Sequence, residues 1–225
     1  MAVLRSLLFY VVFYLGSVFY VLASLIAIPF GTGPLRKAVR GWSGFHRDCA
    51  KWLLGIEVIF EGGPIDEPAL YAIKHESFFE AIDMPKSFGN PVVFAKKELF
   101  AIPGWGRAAR TYGLVPVARE EGAKALLGMI REARQKAAEG RPLVIFPEGT
   151  RIPHGETAKL QSGFSGLYKM VKLPVVPVAV NSGPLYHRPW KRPGQITYRF
   201  GTPIPSGLER DEVERRVTEA INRLN

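Results

Sequence analysis

The sequence predicts an α/β protein in which helices flank a mixed, largely parallel sheet, preceded by an N-terminal membrane-associated helical segment. Three observations lead there. Short β-rich runs alternate with helical patterns along the body, several of those runs are apolar throughout, and the chain opens with a long uncharged stretch. Alternating strands and helices build sandwiches of helices on a sheet. A strand without polar positions belongs in a sheet covered on both faces.

The uncharged stretch is Ser6–Phe30, "SLLFYVVFYLGSVFYVLASLIAIPF". About 20 apolar residues cross a bilayer core, so the run is long enough. Tyr10, Tyr14 and Tyr20 suit the interfacial zone. The run is too long for a signal peptide, and no small-x-small cleavage site follows it. It reads as a membrane anchor, either spanning or half-buried as a hairpin. Only Arg5 precedes it, whereas Arg36, Lys37, Arg40, Arg47 and Lys51 follow. The positive-inside rule then leaves the body on the cytoplasmic face of the membrane, the inner membrane if the source is bacterial. Residues 1–55 form the anchoring helical region in this reading, and residues 56–225 the α/β body.

A second helix is expected from Pro34 to about Leu54, carrying Trp42 and basic residues. Strands follow at Ile56–Glu61, Ala69–Lys74, Pro91–Lys97, Tyr112–Ala118, Pro142–Phe146, Pro174–Val180 and Ile196–Phe200. The clearest helix is Glu120–Glu139, where Ala123, Leu126, Leu127, Ile130, Ala133 and Ala137 recur at helical spacing before Gly140. Leu208–Leu224 has Val213, Val217, Ile221 and Leu224 on one face and reads as a terminal helix packed on the body.

The formal net charge is +10, which draws the protein to polyanions. An anionic lipid surface fits the apolar N-terminus. Nucleic acid does not, because no helix-turn-helix, zinc finger or aromatic-rich RNA-binding block is present. A single cysteine, Cys49, excludes an internal disulfide. No cluster of His, Cys and carboxylate has metal-ligand spacing, so neither a metal nor another cofactor is expected.

Chemistry concentrates in "KHESFFEA", Lys74–Ala81. Residues five apart point about 140° apart on a helix, and to opposite faces of a strand. His75 and Glu80 meet only if the chain changes structure between them. Ala69–Lys74 reads as a buried strand and Phe78 onward as a helix, so a strand–turn–helix brings them together. Glu80 then accepts the Nδ1 proton of His75, leaving Nε2 to take a proton from a hydroxyl. The bland reading is that Ser77–Glu80, Ser-x-x-Glu, is only a capping box. No nucleophile elbow is present, since "GFSGL" at Gly163 lacks its closing glycine.

The second chemical stretch is "LVIFPEGTR", Leu143–Arg151, a strand running into a turn. Gly149 lets backbone N–H groups and the Arg151 guanidinium face one anion, and the planar arginine fork suits phosphate.

With both stretches in order, the chain resembles the 1-acylglycerol-3-phosphate acyltransferase family of phospholipid synthesis. That family is marked by His, four residues and Asp, and downstream by F-P-E-G-T-R. Here these are His75–Glu80 and Phe146–Arg151. "KKELFAIPGWG" (Lys96–Gly106), "VPVAR" (Val115–Arg119) and "VVPVAV" (Val175–Val180) are similar to weaker family blocks. Glu80 departs from the usual aspartate by one methylene, and Asp83 sits at the wrong spacing to replace it.

The resemblance implies a glycerol-3-phosphate acyltransferase-like fold and transfer of a fatty acyl group to the sn-2 hydroxyl of lysophosphatidic acid. The donor is an acyl thioester, acyl-CoA or acyl-carrier protein, and membrane lipid surrounds the site. His75 is the expected base and Glu80 its partner. Lys97, Arg119 and Arg151 are candidates to hold the acceptor phosphate, with Glu148, Gly149 and Thr150 shaping that pocket. Phe78, Phe79, Phe100, Ile102 and Trp105 line an acyl groove or pack the core. Two rival readings are another lysolipid acceptor, such as a lyso-ornithine lipid or lysophospholipid, and a non-catalytic protein binding anionic lipid.

Overall fold

A computed structural model describes the backbone of residues 1–117 and 122–225 and the side chains of 1–117 and 127–225. Arg119, one of the candidate phosphate ligands, lies outside the described residues.

The chain begins with α1 (Ala2–Ala27), a 3₁₀ turn and α2 (Thr32–Cys49), which runs on through a π turn to Leu54. Gly55 stops it in the left-handed region at φ 73°, where glycine carries no Cβ penalty. Next come β1 (Ile56–Glu61), β2 (Leu70–Ile73), α3 (Phe78–Phe88), β3 (Val92–Lys96) and α4 (Trp105–Tyr112). They are followed by β4 (Val115–Val117), α5 (Gly122–Ala138), β5 (Leu143–Ile145) and α6 (Ser162–Val171). The last elements are β6 (Val175–Val180), α7 (Gly183–Tyr186), β7 (Gly194–Phe200) and α8 (Arg210–Ile221).

Each expected strand is present among the described residues. Two local expectations need correction. Tyr112 closes α4 instead of opening β4, because Gly113 at φ 96° ends that helix. Leu127 of α5 is exposed, and Met129, Ile130, Ala133 and Ala137 form its inner face.

The seven described strands form one sheet in the order β1-β7-β6-β2-β5-β3-β4. Every pairing is parallel except β6 with β7. Strands β2, β5 and β6 sit inside it and are buried along their whole length. The two-residue period of a strand sends Leu70 and Ala72 into one core and Tyr71 and Ile73 into another. The first core is closed by α5, α6 and α8 through residues such as Ala133, Phe164, Val213 and Val217. The second is closed by α1, the π turn and α3 through Phe9, Phe13, Leu54 and Phe79. Burying each large side chain contributes about 1.5–3 kcal/mol, so α1 is part of the body's packing and not only an appendage.

The opposite face of α1 is an apolar stripe. Leu4, Leu8, Val11, Leu15, Val18 and Leu22 recur every three or four residues and are all exposed. The inner face is tied down by polar bonds as well. The Arg5 guanidinium donates to the Leu53 carbonyl (2.7 Å), the Lys191 amide to Ser6 Oγ (2.8 Å) and the Trp42 indole to Ser17 Oγ (2.9 Å). By length and composition α1 and its 3₁₀ extension are enough to cross a membrane.

Helix α2 in turn grips α3. Pro85 interrupts the α3 ladder, and Ser43 enters the gap: its hydroxyl donates to the Ile82 carbonyl (2.7 Å) and accepts from the Lys86 amide (3.1 Å). One turn on, Arg47 forms a fork on Asp83 at 2.8 and 2.6 Å, and Asp83 is fully buried. Arg47→Ala strands that carboxylate and is expected to destabilise the fold by about 3–5 kcal/mol. Thermal melting in detergent, with Arg47→Ala/Asp83→Asn recovering much of the loss, checks it.

Candidate active site

The carboxyl ends of β2, β5 and β6 converge on one edge of the sheet, the edge where α/β proteins bind ligands. β2 delivers Lys74–Ser77, β5 delivers Phe146–Arg151, and β6 delivers Asn181–Gly183.

His75 leaves the end of β2, and the chain turns into α3 at Ser77. This turn lets Nδ1 of His75 meet Oε1 of Glu80 at 3.2 Å. Glu80 is at the third position of α3 and caps the helix at the same time: its Oε1 accepts the amides of Glu76 and Ser77, the latter at 2.6 Å. Ser77 Oγ accepts from the Phe79 amide (3.0 Å), completing the cap. Capping and imidazole orientation are therefore done by one carboxylate. Its other oxygen, Oε2, accepts from Ser77 Oγ (2.9 Å) and Ser182 Oγ (2.6 Å).

Glu80 is fully buried, and burial alone pushes its pKa up. The bond and charge of His75, then Ser182 and the Ser77 amide, outweigh burial and hold the carboxyl below its ordinary value. Whenever the ring carries a single proton, an ionised Glu80 fixes it on Nδ1. Nε2 makes no bond among the described residues, and the side chain is 16% exposed. The ring lies on Phe146, centroids 4.4 Å apart. Asp83, three residues beyond Glu80, is committed to Arg47.

The turn after β5 is tied to the same place. The Ile152 amide donates to the His75 carbonyl (2.8 Å), and Gly149, at φ 69°, donates its amide to the Phe146 carbonyl (2.9 Å). Arg151 is exposed, with its guanidinium 4.1 Å above the Phe78 ring in the first turn of α3. Thr150 beside it is also exposed. Glu148 faces the other way. It is buried, and its oxygens go to Lys74 (2.8 Å) and the His75 amide (3.1 Å), so it supports the loop and offers no oxygen to a ligand.

Lys97 is exposed in the 3₁₀ turn after β3, on the same sheet edge two strands from β2. The aromatic candidates separate by burial. Phe79 and Phe100 are core, whereas Phe78 and Ile102 are exposed and Trp105 is intermediate.

Sequence reasoning missed the third loop and what it holds. Ser182 lies 102 residues from Glu80, and no local pattern links them. Glu76, also fully buried, accepts from the Gly183 amide (2.7 Å) and pairs with His154 Nδ1 (3.0 Å). Burial pushes its carboxyl up by more than those partners pull it down. His187 stands at the end of α7, and burial, then the charge of Arg151, depress its pKa.

Residues 55–181, which include all three loops' chemical residues except Ser182 and Gly183, match the Acyltransferase family model. The chain belongs to the acyltransferase family. A 1-acyl-sn-glycerol-3-phosphate acyltransferase of Pseudomonas aeruginosa is 28% identical over 207 residues, covering 88% of this acyltransferase and 79% of its relative. The human protein named 1-acyl-sn-glycerol-3-phosphate acyltransferase alpha is 28% identical over 171 residues, 72% of this chain and 60% of its own length. A coconut (Cocos nucifera) protein named 1-acyl-sn-glycerol-3-phosphate acyltransferase is 27% identical, covering 77% of this chain and 58% of its own. The chain thus spans under two thirds of the plant and human relatives. The crystal structure of the 1-acyl-sn-glycerophosphate (LPA) acyltransferase, PlsC, from Thermotoga maritima superposes with a TM-score of 0.76 at 22% identity. That alignment covers 99% of this chain and 95% of the other, and it establishes the shared fold.

For an acyltransferase, the arrangement supplies an imidazole with one nitrogen fixed and the other open, and on the adjoining turn an exposed guanidinium over Phe78. Glu80→Gln keeps the cap's acceptor but removes the charge, so kcat should fall at least about tenfold with little change in KM. The same change removes a linkage. A carboxyl depressed in the folded state contributes stability that is full above the unfolded value of about 4.3 and is lost as pH falls through the folded value. Melting curves of Glu80→Gln on the acid side should accordingly show a shallower dependence on pH than the parent.

Proposed function

We propose that the protein transfers a fatty acyl group from a thioester donor to the sn-2 hydroxyl of 1-acylglycerol-3-phosphate, giving phosphatidic acid for phospholipid synthesis. The observation that carries this reading is the His75–Glu80 pair, with Nε2 open, on the loop that also meets Arg151. The relatives' names supply the acceptor class.

His75 Nε2 takes the hydroxyl proton as the oxygen attacks the thioester carbonyl carbon. The C–O ester bond forms, the C–S bond breaks, and the imidazolium returns its proton to the leaving thiolate. Glu80 stabilises the imidazolium between these steps. No enzyme nucleophile takes part, and the free thiol and the diacyl product account for every atom. General-base help of this kind contributes about 10²–10⁴-fold, with positioning of the two substrates supplying much of the rest. Arg151 holds the acceptor phosphate, Gly149 and Thr150 shape the turn that presents it, Lys97 extends the cationic edge, and Arg119 remains a candidate phosphate ligand from the sequence alone. Glu148 serves the pocket from behind, through the His75 amide.

The membrane reading follows from α1. A helix whose inner face is bonded to the body cannot leave it to stand across a bilayer, so α1 lies half-buried with its apolar stripe in lipid. Lys37 and Arg40, the exposed basic residues of α2, face acidic headgroups, and the body sits on the cytoplasmic side. Substrate and product are then both within reach of the site without leaving the bilayer surface.

Thiol release on mixing acyl-CoA or acyl-carrier protein thioester with lysophosphatidic acid tests the activity and identifies the donor. A lyso-ornithine lipid, other lysophospholipids and no acceptor serve as comparison arms. His75→Ala should lose at least about 10²-fold in kcat while remaining folded. Arg151→Ala should raise KM for lysophosphatidic acid about 10–100-fold, the loss of a hydrogen-bonded ion pair. Unchanged dependence on lysolipid concentration would remove the phosphate contact from the proposal.

A further inference from the structure

A buried ion pair stands directly behind the imidazole, and its last partner comes from the far end of the fold. Lys74 is fully buried, one residue before His75. A buried ammonium has three donors to satisfy, and here each finds one acceptor. They are Glu148 Oε1 at 2.8 Å, the Glu156 carbonyl at 2.9 Å and Asn222 Oδ1 at 2.7 Å. Glu148 turns its second oxygen to the His75 amide at 3.1 Å. The chain of contacts therefore runs from Asn222 through Lys74 and Glu148 to the backbone of the base.

Asn222 lies just beyond α8, 148 residues from Lys74. Its amide is fixed from both sides: Nδ2 donates to the Thr218 carbonyl (2.7 Å), and Oδ1 also accepts from Asn225 (2.8 Å). Asn225 donates in addition to the Glu156 carbonyl (3.1 Å), closing a ring around the ammonium. Among the described residues, α8 itself makes no polar bond to the His75 loop, and its apolar face is absorbed by the core through Val213, Val217 and Ile221.

We infer that Asn222 is a positioning residue for acyl transfer, which acts through the Lys74–Glu148 pair to hold the backbone of His75. This rests on the reading of His75 as the base. The His75 carbonyl is already held by the Ile152 amide at 2.8 Å, so its N–H, held by Glu148, is the second of two backbone anchors. With Asn222 removed, the ammonium seeks a new acceptor and draws on Glu148, and the His75 amide loses its bond. A base displaced by about 1 Å loses up to about 10²-fold in rate. Substrate binding, which involves Arg151 on the outer side of the turn, is untouched.

The test is the full chain carrying Asn222→Leu, similar in size without an acceptor, and Asn222→Asp, which keeps one. Thiol release from the donor with lysophosphatidic acid is measured per folded molecule, folding being followed by circular dichroism in detergent. Asn222→Leu should lose about tenfold in kcat with both KM values unchanged, a split that simple loss of stability does not produce. Asn222→Asp should stay within about threefold of the parent, as expected if acceptance by the ammonium is what matters. Where Asn222→Leu does not fold, Asn222→Ala is read in its place. A normal kcat in the acceptor-less variant, or equal losses in the Asp and Leu variants, overturns the inference. His75→Ala in the same assay separates the two claims. If it alone is inactive while Asn222→Leu is normal, only the positioning role fails; if it stays active, the base reading fails.

Discussion

Everything at this site depends on ionisable groups kept out of water at the end of the central strand. Between Lys74 and Glu80 the chain holds an ammonium and two carboxylates that are fully buried, and Glu148 adds a third carboxylate. A charge in that position is tolerated only if its partners are close and fully used. Meeting this demand dictates which loops come together. Glu80 needs Ser182, Glu76 needs Gly183 and His154, and Lys74 needs Glu148, the Glu156 carbonyl and Asn222. Loops after β2, β5 and β6, and the turn after α8, are joined by that accounting. The imidazole inherits the rigidity.

The capping box and the proposed catalytic pair are one structure. A helix N-terminus leaves amides without partners, and a carboxylate at its third position satisfies them by bending back toward the cap. The bend brings Oε1 within 3.2 Å of the ring that ends the strand. Glutamate, longer by one methylene than the family's usual aspartate, reaches both the amides and the imidazole from this position. Donors from Glu76, Ser77, Ser182 and His75 around two oxygens then keep it ionised despite complete burial.

Local patterns made much of this legible. Apolar runs marked the inner strands β2, β5 and β6, because strands buried on both faces have no room for polar positions. His75, Glu80 and Arg151 were readable because a strand–turn–helix and an EGTR turn are short motifs with local geometry. What was not legible is what the charges demand at long range. Glu148 looked like a pocket residue, since nothing near it in sequence reveals a buried lysine 74 residues earlier. Ser182, His154 and Asn222 follow strands or helices as ordinary turn residues do, and only the closing of the sheet brings them to the site. Gly113 and Leu127 show the same limit within single elements, where a left-handed turn and the exact face of a helix decide the boundary.

The apolar stripe of α1 and the His75 loop are mechanically linked. α1 rests on the body through Phe9 and Phe13, in the same core as Phe79, the residue before Glu80. α2 lies against α1 and holds α3 through Ser43 and through Arg47 on Asp83. The apolar stripe therefore does not hang from the body on a tether. With the stripe in lipid as proposed, its orientation in the bilayer surface would set that of α3, and so the height of His75 above the lipid. For the proposed reaction, whose acceptor is itself a bilayer component, a rigid mount of this kind would replace diffusion in three dimensions with approach along a surface, and His75 would meet a hydroxyl at fixed depth. A flexible linker would give up that advantage, because it would leave the depth of the imidazole to chance. The packing of α1 and α2 is in this sense part of the active site, although neither contributes a residue to the chemistry.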